Sequence, residues 1–129
     1  MVVRTLARWL LGLAFVAAGI PHFTQPESYL PMMPPYLPWH RELIFVSGAC
    51  EILGGLGVLW PNPKIQRLAG LGLIALLAAI FPANLHMALN DTPLLGRHFS
   101  AAVRWGRLPL QCILMAWAWW ATRSRPRTL

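Results

Sequence analysis

The stretch from Arg41 to Trp60, RELIFVSGACEILGGLGVLW, restricts what this chain can fold into more than any other. Between Leu43 and Pro63 its one formal charge is Glu51. At ~1.5 Å of rise per residue, a helix of this length crosses the ~30 Å hydrocarbon core of a bilayer. Glu51 then falls near mid-depth, where an ionised side chain costs at least ~2.5–3.5 kcal/mol unless a partner compensates it. Ser47, Glu51 and Gly55 recur at every fourth position, with Gly48 and Gly54 beside them, so they share one helix face. That face is small enough for close approach of a second helix and polar enough to need partners.

Composition agrees with a membrane chain. Hydrophobic residues make up 57% and charged residues 12%, against roughly a quarter charged in ordinary soluble domains. The 129 residues allow one domain. A net charge of +7 raises the question of nucleic acid. However, the arginines stand at the ends of apolar segments and form no basic patch with interleaved aromatics, which excludes that class of partner.

Four spans are predicted, at about residues 5–22, 41–60, 68–89 and 107–122. The first follows Arg4 and Arg8. Val16-Ala17-Ala18 resembles a signal-peptide cleavage site, but the apolar run continues through Ile20 and Phe23, which favours a retained helix. Phe23 to His40, rich in proline, methionine and aromatics, reads as an interfacial lid between spans one and two or as an interfacial loop without function. Within it Thr24-Gln25-Pro26-Glu27 has the form of a capping box and predicts a short helix over 25–33, stopped by Pro34-Pro35. In the third span Ala75, Ala79 and Ala83 form a small-residue stripe, and Pro82 removes a backbone hydrogen bond and predicts a kink. Phe99 to Trp105 reads as a second interfacial piece, and Pro109 as the start of a short last span whose Arg107 and Arg123 snorkel to the two interfaces.

The fold class that follows is all-α, an integral membrane four-helix bundle with a short interfacial helix or lid. Arg4, Arg8, Lys64, Arg67, Arg123, Arg125 and Arg127 lie on the termini and the 61–67 turn, against Arg41, Arg97, Arg104 and Arg107 on the opposite loops. This excess puts both termini in the cytoplasm. His22, Asn84, Gln111 and Arg107 then belong to the outer half of the bundle, with Ser47 and Glu51 completing an outward-facing polar pocket. Asn84 and Gln111 also suit plain interhelical hydrogen bonding, worth ~0.6 kcal/mol each. Asn84 and His86 lie roughly opposite on the helical wheel, so one of the two faces the pocket, and whether His22 or His86 does so is left open.

Motifs for common chemistries are missing. There is no CxxC, HExxH, glycine-rich phosphate loop or GxSxG. Cys50 and Cys112 differ in depth and read as small apolar residues, not as a disulfide. Two histidines alone make a weak haem signal, and no metal set stands out.

Gly19-Ile20-Pro21-His22-Phe23, the S-G-x-x-E of Ser47 to Glu51 with Gly54-Gly55, F-P-A-N-x-x-M from Phe81 to Met87, and R-x-P-x-Q from Arg107 to Gln111 occur in this order. Together they resemble the DoxX-like family of small bacterial membrane proteins, over about Val3 to Trp120. The resemblance implies four helices in the inner membrane. Some relatives are membrane subunits of thiosulfate:quinone oxidoreductase, and others are linked to oxidative-stress assemblies. For this chain it implies a redox-linked membrane subunit holding a quinone or other lipophilic molecule and working with a soluble or membrane redox partner, not a stand-alone enzyme. The alternative is a non-catalytic lipid-binding or assembly module that anchors a partner protein. The bilayer itself is a partner, and an oligomer is compatible with the small-residue faces.

Overall fold

Each long apolar run becomes a helix whose ends are set by local chemistry. The structure is a computed structural model and describes residues 2–124. Arg125 and Arg127, which enter the charge count, lie outside the described residues. Helix α1, Val2–Gly19, buries Leu11, Gly12, Phe15 and Gly19 on one face. A four-residue helix α2, Pro21–Thr24, follows at once, with Pro21 in the first helical position where its missing N–H costs nothing. The backbone at Ile20 stays helical (φ −59°, ψ −46°), so α1 and α2 together make up the first expected span.

The lid forms a 3₁₀ helix, Pro26–Met32, containing Pro31. The predicted capping box does not form. Thr24 is already the last residue of α2, its hydroxyl donates back to the Ile20 carbonyl at 3.5 Å, and Gln25 takes the cap position with no side-chain bond. Glu27 instead pairs with Arg41, which ties the lid to the next helix. That helix, α3, runs His40–Leu59 and matches the predicted second span. It starts after Trp39, which sits in the left-handed region at φ 54°.

Helix α4, Pro63–Asn90, begins earlier than the expected Leu68. The Asn62 side chain accepts from the backbone N–H of Lys64 at 2.9 Å and of Ile65 at 3.4 Å, and Pro63 fills the first turn. The helix continues through Pro82 without a break. The alanine stripe is not its packing face, since Ala75 and Ala79 are exposed. The larger Leu73, Leu77 and Met87, together with Gly70 and Asn84, fill the interior instead.

A tight turn at Leu94–Arg97 connects α4 to α5, with Leu95 at φ 52° and Gly96 at φ 74°. The Ser100 side chain accepts from the Val103 N–H and starts α5, Ala101–Thr122. The expected interfacial piece at 99–105 is thus mostly the first turns of α5, and Pro109 lies well inside this helix. Arg107, correspondingly, is an interior helical residue, half-buried, and does not reach out from an end.

The long helices contact one another in the cyclic order α1, α3, α4, α5, with α1–α5 the sparsest of the four interfaces. The α1–α3 interface is the most extensive, because glycines let the backbones approach. A Cβ added at Gly55 would lie 2.6 Å from the Gly12 carbonyl oxygen, and one added at Gly19 would lie 2.8 Å from that of Gly48. A core of Leu11, Phe15, Val58, Leu73, Leu77 and Ala118 fills the half of the structure away from the lid. The outer surface is apolar, as at Leu53, Leu68 and Ile113, and the free Cys50 and Cys112 lie on it.

The chain is therefore all-α, with no named strand among the described residues. Three helical segments are long and apolar enough to cross a membrane: Val2–Thr24, His40–Leu59 and Pro63–Asn90. Four were expected. Helix α5 has the length but carries Arg104, Arg107 and Gln111 in its first half.

Candidate functional site

A cavity of about 190 Å³ lies under the lid, at the end where α1 and α4 finish and α3 and α5 begin. Its polar lining is His22, Tyr29, Ser47, Glu51, Asn84 and Arg107, set among apolar walls that include Met32, Ile44 and Ile80. Of the six residues predicted for the pocket, five line it; Gln111 does not.

Glu51 is 8% exposed at the centre of α3, on the face where Gly48 and Gly55 admit α1 and α2. Its Oε2 lies 3.3 Å from His22 Nδ1, but the pair is not aligned as a hydrogen bond, and this buried oxygen has no hydrogen-bond partner. His22 Nδ1 also lies 3.2 Å from the Ala18 carbonyl oxygen one turn back. Pro21, at the start of α2, places His22 here, and Gly48 leaves the room, since a Cβ there would collide with the His22 side chain.

Asn84 and Gln111 are buried and occupied with each other. Asn84 Nδ2 donates to Gln111 Oε1 at 2.9 Å, and Gln111 Nε2 donates to the Leu77 carbonyl. This closed pair links α4 to α5 and holds Asn84 at the cavity wall. His86 is turned away from the cavity, with Asn90 Nδ2 lying 3.1 Å from its Nδ1. His22, not His86, belongs to the pocket. The nearest basic partner of Glu51 is His22, not Arg107; Arg107 has no carboxylate within ion-pair distance among the described residues, and its Nη1 points to Met87 Sδ.

Nothing in the sequence singles out Tyr29 from the other aromatics of the lid, yet it lines the cavity. Its ring stacks on His22, with centroids 4.2 Å apart and planes 20° from parallel. Burial, and to a lesser degree the Glu51 carboxyl, push the Tyr29 phenol above its ordinary value, with Arg107 pulling the other way. The phenol is accordingly a neutral hydrogen-bond donor. Leu94 was also missed, since only the turn after α4 brings it to the cavity. Of the prolines that build the lid, Pro34 is itself fully buried, and its carbonyl oxygen lies 3.0 Å from His40 Nε2.

No group of three or more His, Cys, Asp or Glu converges as a metal site among the described residues. What the cavity offers is a neutral phenol, a guanidinium, an imidazole and a carboxyl around a small apolar volume.

Fold and site together define an all-α protein with candidate membrane spans and a polar cavity under its lid. The chain belongs to the family described as a domain of unknown function, DUF8561, whose model matches residues 11–122. No curated protein and no solved structure matches it.

Proposed function

We propose that this chain is a four-span protein of the bacterial inner membrane, with α1, α3, α4 and α5 as the spans and both termini cytoplasmic. Its pocket would hold the head of a quinone or another lipophilic molecule carrying oxygen acceptors. The observation that carries this reading is the buried, unpartnered Oε2 of Glu51 beside a cavity that Glu51 itself lines. An intramembrane carboxyl without a partner is costly and is retained for function by default.

The size of the site supports a head group and not a whole long molecule. About 190 Å³ is below the roughly 300–1,000 Å³ of sites that enclose drug-sized ligands. Tyr29 and Arg107 can donate to carbonyl oxygens, while Ile44, Ile80 and the lid methionines cover an apolar ring. A quinone becomes a quinol by taking two electrons and two protons. In this proposal a redox partner protein supplies the electrons, and the Glu51–His22 pair relays protons to the quinone oxygens. The likeness to the DoxX-like family supports a membrane subunit of this kind.

The test is to purify the protein in a mild detergent and identify what it retains by mass spectrometry, then to titrate a short-chain quinone and follow thermal stability. Retained quinone, or stabilisation by the added one, supports the reading. Ordinary phospholipid as the sole occupant, with no response to quinone, would leave a lipid-binding or anchoring module in its place.

A further inference from the structure

A second cavity, of about 300 Å³, lies at the opposite end of the helices, where α1 and α4 begin and α5 finishes. Arg4 and Arg8 reach it from α1 and Arg123 from the end of α5, and no acidic residue lines it. The chain has four acidic residues in all. Glu27, Glu42 and Asp91 lie at the lid end and Glu51 is mid-helix, so charge is segregated along the molecule.

Two of these arginines, Arg4 and Arg8, are held and not merely solvated. Arg8 Nη1 donates to the Val58 carbonyl near the end of α3, and Arg4 Nη2 donates to the Arg123 carbonyl. Several of the neutral polar groups nearby are already engaged. The Thr122 hydroxyl donates to the Ala118 carbonyl at 2.6 Å, Gln66 Nε2 donates to the Trp60 carbonyl at 2.7 Å, and the first N–H groups of α4 go to Asn62. Beside the hydroxyls of Thr5 and Ser124, this cavity presents to a ligand the positive charge of planar guanidinium groups, whose geometry suits paired hydrogen bonds to phosphate oxygens. Cytoplasmic charges that serve topology alone need only reach water. Here they converge on a concave site between helices, the kind of basic pocket that takes anionic headgroups.

We propose that this cavity binds a phosphate group, carried by an anionic lipid headgroup or by free phosphate. It is distinct from the pocket under the lid and does not depend on what that pocket holds.

The experiment titrates phosphatidylglycerol, phosphatidylcholine and inorganic phosphate separately into the purified full chain in a neutral detergent. Thermal midpoint and bound lipid by native mass spectrometry are the readouts. Phosphatidylglycerol should bind in preference to phosphatidylcholine, and Arg123→Gln should weaken it by ~10-fold, as expected for loss of a charge-assisted contact. Arg97→Gln, an equal charge change in the exposed turn at the lid end, should leave it unaltered. Arg8→Gln also removes the bond to Val58, so Arg123→Gln, which keeps the backbone bonds, carries the comparison if Arg8→Gln fails to fold. Stabilisation by inorganic phosphate alone, lost in Arg123→Gln, assigns the site to a free anion; a response only to phosphatidylglycerol assigns it to a lipid. Equal binding of the two lipids with no effect of phosphate, or equal loss in Arg97→Gln, overturns the proposal.

Discussion

His22 approaches Glu51 through the same nitrogen that it points at its own helix: Nδ1 lies 3.3 Å from Glu51 Oε2 and 3.2 Å from the Ala18 carbonyl oxygen. A carbonyl oxygen only accepts, so the Ala18 contact puts the ring proton on Nδ1. The imidazole is thereby anchored next to the carboxyl without satisfying it.

Glu51→Gln keeps the size of the side chain and one carbonyl acceptor but cannot exchange a proton. The expected outcome is a folded protein with little change in thermal midpoint that no longer retains its ligand. Glu51→Leu should match or exceed the parent in stability, because a buried carboxyl is often replaced by an apolar group at no cost. Melting in detergent, with bound ligand quantified by mass spectrometry, checks both; unchanged ligand in the two variants removes Glu51 from the site.

Helix contact through glycine predicts an asymmetric alanine scan. In Gly55→Ala the new methyl meets the Gly12 carbonyl at 2.6 Å and the Val16 backbone nitrogen at 3.0 Å, atoms that cannot rotate away. A loss of ~1–3 kcal/mol is expected. Gly72→Ala meets nothing within 4 Å and should gain up to ~1 kcal/mol of helix propensity. Comparable melting for the two variants would contradict the α1–α3 packing.

Leu95 occupies a left-handed position, φ 52°, followed by Gly96 at φ 74°. A two-residue turn with both central residues left-handed favours Asn-Gly. Leu95→Asn should therefore raise stability, by up to ~1 kcal/mol given the cost of that conformation for a branched side chain. A lower melting point would show that the half-exposed Leu95 side chain contributes more than its backbone strain costs.

Tyr29 should titrate late. Its phenol lies above the ordinary value of 10.0, chiefly through burial. A raised folded value means that its contribution to stability is complete below the ordinary phenol range and is lost as pH rises through the folded value. Absorbance of tyrosinate followed during alkaline titration should show a late component that Tyr29→Phe removes; its persistence in that variant would refute the assignment.

Much of this architecture is legible in the chain because apolar length and proline placement are local signals. The Glu51 helix needed no correction beyond its end residues. The start of α5 was misplaced because Arg104 and Arg107 read as a water-facing boundary, whereas Arg107 is turned inward to the cavity and Arg104 pairs with Asp91 across the preceding loop. Of the two expectations for Gln111, interhelical hydrogen bonding is what forms, while its depth alone suggested the pocket. Depth does not reveal that Asn84 and the Leu77 carbonyl take up its amide. Tyr29 escaped notice for a related reason: nothing within the lid sequence indicates that its 3₁₀ turns carry the ring onto His22.

For the proposed topology, reporters fused after Thr92 and after Leu129 should report opposite sides of the membrane. Equal signals would show that α5 does not cross.

The ring of helices is not equally strong around its circumference. Glycine contact locks α1 to α3, whereas α1 meets α5 across the thinnest interface, bridged by the indole N–H of Trp117 donating to the Ala7 carbonyl at 3.1 Å. Ala18 of α1 and Arg107 of α5 both line the cavity beneath the lid, so this thinnest seam runs between two of the pocket's own walls, and under the function proposed above it is a sideways route for a lipophilic ligand that does not require the lid to lift.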